Sequence, residues 1–272
     1  MSSLLAPARP TRLTLAVRDS TTMLRRNLLH ARRYPSLTLN LLLTPVMLLL
    51  LFVYVFGDVM SAGITDGGPD RSAYIAYLVP GILMLTIGGT TIGTAVSVSN
   101  DMTEGIIARF RTMAIHRASV LVGHVAGSVI QCVMSVVLVG AVGVAIGFRA
   151  EGATALEWLL ALGLLALVAL ALTWIAVGMG LVSPNAEAAS NNAMPLMILP
   201  LLSSAFVPVD AMPGWFRPFA EYQPFTPAIE TLRGLLLGTE IGHNGLLAVA
   251  WCLALTALGY VWSKSLFDRD PR

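Results

Sequence analysis

The run from Ala155 to Val182, ALEWLLALGLLALVALALTWIAVGMGLV, holds one charged residue, Glu157, and no proline. A helix rises about 1.5 Å per residue and a bilayer core is about 30 Å thick, so roughly 20 apolar residues cross it. This run is long enough, and five others share its character: residues 38–57, 74–97, 119–148, 193–209 and 245–263. The run 193–209 is the shortest. Backbone amides in lipid must bond within their own segment, so all six are expected to be membrane-crossing helices. Composition agrees, with 56% hydrophobic and only 12% charged residues, where a soluble domain carries about 25% charged residues. Six such helices would leave too little polar surface to cover them in water.

The expected organisation is a cytoplasmic tail and amphipathic helix over 1–37, a six-helix transmembrane domain over 38–263 and a second tail over 264–272. The formal net charge of +2 is too small to point to nucleic acid as a partner. Cys132 and Cys252 both lie in apolar spans and read as small apolar side chains rather than a disulfide. Basic residues fix the orientation. Arg9 to Arg33, then Arg109, Arg111 and Arg117, then Lys264, Arg269 and Arg272 share one side of a six-span chain. The other side holds only Arg71, Arg149, Arg217 and Arg233. Basic flanks stay in the cytoplasm, so both termini are expected there, in a bacterial plasma membrane.

Within this frame several segments stand out. From Thr11 to Tyr34, Leu24, Leu28 and Ala31 share a helical face that the arginines avoid. That pattern suits a helix lying in the headgroup region, or else a plain basic flank. The second span is small and hydroxylated, and Gly89 and Gly93, beside Thr90 and Thr94, form a GxxxG pair that lets another helix approach closely. The pair reads as packing within the subunit, as a subunit interface or as the lining of a path. Gly143 and Gly147 carry the same signal. The fifth span is interrupted by Pro195, Pro200 and Pro208. Residues 210–244 are semi-apolar, aromatic and rich in proline, and suit short helices dipping into the outer leaflet or an outer loop with interfacial anchors.

Much chemistry is absent. There is no GxxxxGK[ST] loop, Lys264 is the only lysine, and no HExxH occurs. His30, His116, His124 and His243 lack metal-ligand spacing and read as solvated or interfacial. Asp101 and Glu104, three apart, read as a solvated helix start. No span carries an ionisable residue near its centre, which argues against a proton or sodium relay. The energy for transport is then expected from a partner. The segment fit to meet one is 99–117, where Ile106, Phe110 and Met113 stack on one helical face and Arg109 and Arg111 point elsewhere. Such a ridge can dock in a groove of a soluble protein or lie flat on anionic lipid.

The residues Asp101, Glu104, Gly105, Arg109, Phe110 and Arg111 resemble the loop between spans two and three of type-2 ABC exporter permeases, in the daunorubicin-resistance branch. The opening Arg25-Arg26-Asn27-Leu28-Leu29, Thr44-Pro45-Val46, Tyr54-Val55-Phe56-Gly57, Pro80-Gly81-Ile82 and Pro224-Phe225-Thr226-Pro227 extend the resemblance, in order, over nearly the whole chain. Ala114 and Gln223 depart from it, standing where the family usually has proline and asparagine. The resemblance implies an all-α membrane fold with an N-terminal amphipathic helix, a cytoplasmic coupling helix and short re-entrant outer helices before the last span. It implies that Asp101, Glu104, Gly105, Arg109, Phe110 and Arg111 couple to an ATPase. It makes Trp215, Phe216, Pro224, Phe225, Pro227 and Glu230 an exit gate. The partners implied are two copies of an ATP-binding cassette subunit, a second permease subunit, most simply another copy of this chain, and membrane lipid. ATP and magnesium would sit on the ATPase subunit and no cofactor on this chain. The cargo expected is hydrophobic or amphipathic: a drug, antibiotic, lipid or lipid-linked glycan. The competing readings are an integral membrane transferase acting on a lipid, and a membrane anchor without transport.

Overall fold

A computed structural model describes residues 35–57, 70–103, 117–150 and 152–268. The N-terminal amphipathic segment, most of the first outer loop, the tail beyond 268 and the coupling candidates Glu104, Gly105, Arg109, Phe110 and Arg111 lie outside these residues. Eight α-helices are described: α1 (Pro35–Tyr54), α2 (Arg71–Thr103), α3 (Arg117–Ala145), α4 (Ala155–Val182), α5 (Ala186–Ile198), α6 (Arg217–Tyr222), α7 (Phe225–Leu237) and α8 (Asn244–Asp268). Short 3-10 turns at Leu199–Leu202 and Val209–Ala211 join α5 to α6. Four helices are long and apolar enough to cross a bilayer: α2, Leu121–Ala145 of α3, α4 and Asn244–Phe267 of α8. The fold is thus an all-α membrane bundle.

The helix at α2 has 33 residues and rises about 50 Å, well beyond the bilayer core. Asp70 starts it: its Oδ1 accepts from the Ser72 amide (2.9 Å) and hydroxyl (2.8 Å) and from the Ala73 amide (3.3 Å). These donors hold the Asp70 carboxyl below its usual value of 3.8. The cap is therefore fully formed above pH 3.8 and is lost as pH falls through the lowered native value. Protection of the Ser72 and Ala73 amides, taken relative to intrinsic exchange, should fall only in that acid range; protection unchanged there would refute the cap. Arg71 meanwhile donates to the Val53 carbonyl (3.3 and 3.2 Å) and lies 4.6 Å from the Tyr54 ring, closing the end of α1.

Packing places α2 at the centre of the bundle, touching α1, α3, α4, α5 and α7. Its hydroxyls are turned inward without cost, because Thr86, Thr90 and Thr91 donate to the carbonyls of Ile82, Ile87 and Gly88 in their own helix. Glycines set how close the neighbours come. A Cβ on Gly81 would stand 2.6 Å from the Ala205 carbonyl oxygen, and one on Gly180 would stand 2.5 Å from that of Ala95. On the far side, α4 and α8 interlock: Gly259 abuts Trp174, Gly178 abuts the Trp262 ring, and Ser263 Oγ donates to Trp174 O at 3.0 Å.

Three sequence expectations change. The fifth apolar segment is helical from Ala186 to Ile198, not over 193–209. Asn185 caps it, accepting from the Ala188 amide at 2.8 Å; the helix carries Pro195 within it and gives way to a 3-10 turn at Pro200. Gly143 and Gly147 are not within one helix: Gly147 has φ 120 and turns the chain after α3 ends at Ala145, although both face α2, Gly143 at Val79 and Gly147 at Ile75. Arg233, counted among outer surface charges, is 4% exposed.

Candidate functional site

The break after α5 leaves backbone polar groups that no helix satisfies, at a level where α2 and α7 enclose it. Irregular backbone is tolerated inside a membrane protein only when other protein groups meet its donors and acceptors. Here α6 and α7 supply them. Gln223 Nε2 donates to Leu199 O (3.4 Å), the Ser204 amide donates to Thr226 Oγ1 (3.2 Å), and Thr226 in turn donates to Ala220 O. Tyr77, from α2, donates its hydroxyl to Ser204 O at 2.8 Å.

Arg233 joins these pieces. One guanidinium nitrogen donates to Tyr77 O (3.0 Å), to Ser204 O (2.8 Å) and, at greater length, to Ala205 O (3.4 Å). Another meets Glu230 Oε1 at 2.7 Å and Ser204 Oγ at 3.4 Å. Its centre lies 3.6 Å from the centroid of the Tyr77 ring. Five N–H donors in a fixed fork suit this task, which a lysine could not perform from one point. Pro80 lies one turn further along α2 and removes a helical donor, which loosens the ladder at this level. The result is a buried cross-brace between α2, the break at 203–205 and α7.

The gate candidates divide around this brace. Phe225 and Pro227 are buried in α7, Pro224 is half-buried ahead of it, and Glu230 is the partly exposed partner of Arg233. Trp215 is 83% exposed and meets Phe216 edge to face, and the Phe216 ring lies 5.4 Å from that of Phe219, forming an aromatic rim outside the bundle. Trp251 of α8 donates to Tyr222 O at 3.0 Å and ties that rim to α8. Arg233 was absent from the sequence candidates. Its one available signal was a guanidinium inside the apolar segment 225–237, which topology counting assigned to the surface.

At the opposite end of α2, Asp101 is not at a solvated helix start and His124 is not interfacial. Asp101 is 9% exposed and His124 is 3% exposed, with His124 Nε2 at 2.9 Å from Asp101 Oδ2. The four residues offered as interface or path also separate. Thr90 and Thr94 are buried within the subunit, Thr90 beside Cys132 Sγ at 3.0 Å. Gly89 and Gly93 have nothing within 4 Å of a built Cβ. Among the described residues, no group of three or more His, Cys, Asp and Glu could hold a metal ion.

Comparison with known proteins agrees with this architecture. The family model described as ABC-2 type transporter matches residues 19–237. The chain is similar to the daunorubicin resistance ABC transporter permease protein DrrB1 of Streptomyces coeruleorubidus, at 29% identity over 236 residues, covering 86% of this chain and 80% of the relative. It is similar to a Mycobacterium tuberculosis protein named "Probable doxorubicin resistance ABC transporter permease protein DrrC", at 23% identity over 242 residues, covering 85% and 83%. It also resembles nodulation protein J of Rhizobium meliloti, at 27% identity over 217 residues, covering 74% and 76%.

Proposed function

Because the chain belongs to the ABC-2 type transporter family, we propose that it is the membrane-spanning permease subunit of an ATP-driven exporter that moves a hydrophobic or amphipathic compound out of the cell. Drug or antibiotic efflux is the form its relatives' names favour. ATP and magnesium are bound and used on a separate ATP-binding cassette subunit, two copies of which assemble with two permease subunits. Asp101, Glu104, Gly105, Arg109, Phe110 and Arg111 carry the ATPase's movement into the bundle. The segment from Trp215 to Arg233 gates the exit. Both termini face the cytoplasm.

The observation that carries this reading is the asymmetry of the outer surface. The open faces of α3 and α8 present large apolar side chains, among them Met134, Val137, Leu138, Leu253, Leu258 and Val261, as a lipid-facing surface does. On α2 the open stripe is instead Gly89, Gly93 and Ser97, flanked by exposed Asn191 and Met194 of α5. Small and amide side chains serve close helix contact or a cargo path far better than lipid. A homodimer that joins these faces would enclose a neutral path between two copies.

Two measurements test it. Inverted membrane vesicles holding this chain and its ATPase subunit, with daunorubicin as the probe, should accumulate the probe only with hydrolysable ATP. Uptake unaffected by withholding ATP would overturn the reading. Gly93→Val should leave the isolated subunit's melting temperature unchanged, since no neighbour meets its Cβ, yet reduce dimer formation or efflux. Wild-type dimer and wild-type efflux in that variant would remove this face from function.

A further inference from the structure

The two stems of the segment 104–116 are Thr103 at the end of α2 and Arg117 at the start of α3. A load applied to that segment is passed along the chain into these stems. Asp101 and His124 lie just inside them, one on each helix, both buried and 2.9 Å apart. Around them is an apolar cluster distinct from the main core: Val98 of α2, Leu121 and Val125 of α3, Trp174 and Val177 of α4, and Phe267 of α8. The cluster supplies non-directional burial, which resists separation but permits sliding along or between helices. Two polar side chains buried in direct contact tolerate little relative displacement, because parting them leaves each desolvated without a partner. Apolar packing alone would give the same adhesion without fixing the register.

We propose that the Asp101–His124 pair is a positioning clamp that fixes the register of α2 against α3, so that a displacement of residues 104–116 moves both stems as one body. The inference rests on the reading of 104–116 as the coupling segment, and assigns it a built-in rigid base. Without the clamp, α2 and α3 would respond separately and displacement at the cytoplasmic face would be dissipated as sliding between them.

The clamp can be tested on the purified chain in nanodiscs, without cargo or ATPase. Spin labels at Thr103→Cys and Val122→Cys, both exposed positions, with Cys132 and Cys252 replaced by alanine, report the stem separation by electron–electron double resonance. The clamped protein should give a single narrow distance. Asp101→Asn and His124→Ala should each lose that narrow distance. Since a single substitution also strands a buried partner and lowers stability, two double variants separate register from stability. Asp101→Leu with His124→Leu removes both members of the pair and should raise the melting temperature above that of His124→Ala while the distance stays broad. Asp101→His with His124→Asp keeps the same two groups in exchanged places and should narrow it again. A narrow distance in the leucine pair, or a broad one in the exchanged pair, would overturn the clamp. Failure of ATP-dependent uptake in the wild-type vesicles would instead count against the exporter reading, and the distance measurement would still stand.

Discussion

Arg233→Met is expected to be the most damaging single substitution at the outer end of this protein. Methionine keeps the length and apolar stem of the side chain but donates nothing. The carbonyls of Tyr77 and Ala205 would then lose their guanidinium donor, and Ser204 O would keep only the Tyr77 hydroxyl. Each buried polar group left unpaired costs about 1–3 kcal/mol, so the total loss should be about 2–5 kcal/mol. Tryptophan fluorescence of the purified protein on heating would read it, and efflux should fall with it because α7 is no longer held to α2. Arg233→Lys should be intermediate, since an ammonium cannot reach Tyr77 O, Ser204 O and Glu230 together with a fork's geometry. Glu230→Gln should cost less than about 1 kcal/mol, because Glu230 is partly exposed and solvent screens the pair. The order of the three variants is the test. If Glu230→Gln were as harmful as Arg233→Met, the ion pair rather than the carbonyl brace would hold this region.

Gly88→Val should be comparably severe for a different reason. A Cβ at Gly88 meets the Leu196 carbonyl oxygen directly and stands 3.0 Å from Met197 Cα. Both are backbone atoms of α5 or its boundary, so no rotamer change can clear them and α5 must shift as a whole. Overpacking of this kind costs about 1–3 kcal/mol, and more where backbone must move. Gly89→Val, one residue along the same helix, is the matched control. It has the same effect on helix propensity, but nothing lies within 4 Å of its Cβ. The melting temperature should drop clearly for Gly88→Val and stay near wild type for Gly89→Val. Equal losses in the two would show that helix propensity, not the α2–α5 contact, sets the cost.

These two sites show where reading the chain residue by residue succeeds and where it stops. The proline at 200 correctly marked where the fifth segment leaves a regular helix, because proline's missing donor is a local property, whereas Pro195 is carried inside α5. The same reasoning could not say where the freed carbonyls would go. Their donors come from Tyr77, Gln223 and Arg233, far away in sequence, and the freed Ser204 amide donates to Thr226. Arg233 then looked like one more outer charge, since charge counting assumes that a charge outside a span is solvated. Asp101 and His124 failed in the same way: each is unremarkable alone, and only their meeting across two helices makes them a pair.

The glycines divide along the same line. The sequence could name Gly89 and Gly93 as a close-approach motif, but it is Gly81, Gly88, Gly178, Gly180 and Gly259, among others, that touch neighbours within the subunit. A GxxxG spacing states that one face of a helix is flat; it does not state which helix lies against it.

By itself the sequence determined that this chain is an all-α membrane protein with proline-broken outer segments. Hydrophobic length and missing amide donors act residue by residue, and lipid leaves a backbone no alternative to helix. Only the tertiary structure decided that α2 is the central helix, which glycines are filled and which stay open, and that a buried arginine braces the outer helices. Those outcomes depend on the approach of backbones distant in the chain, and a contact of that kind is a property of two segments at once.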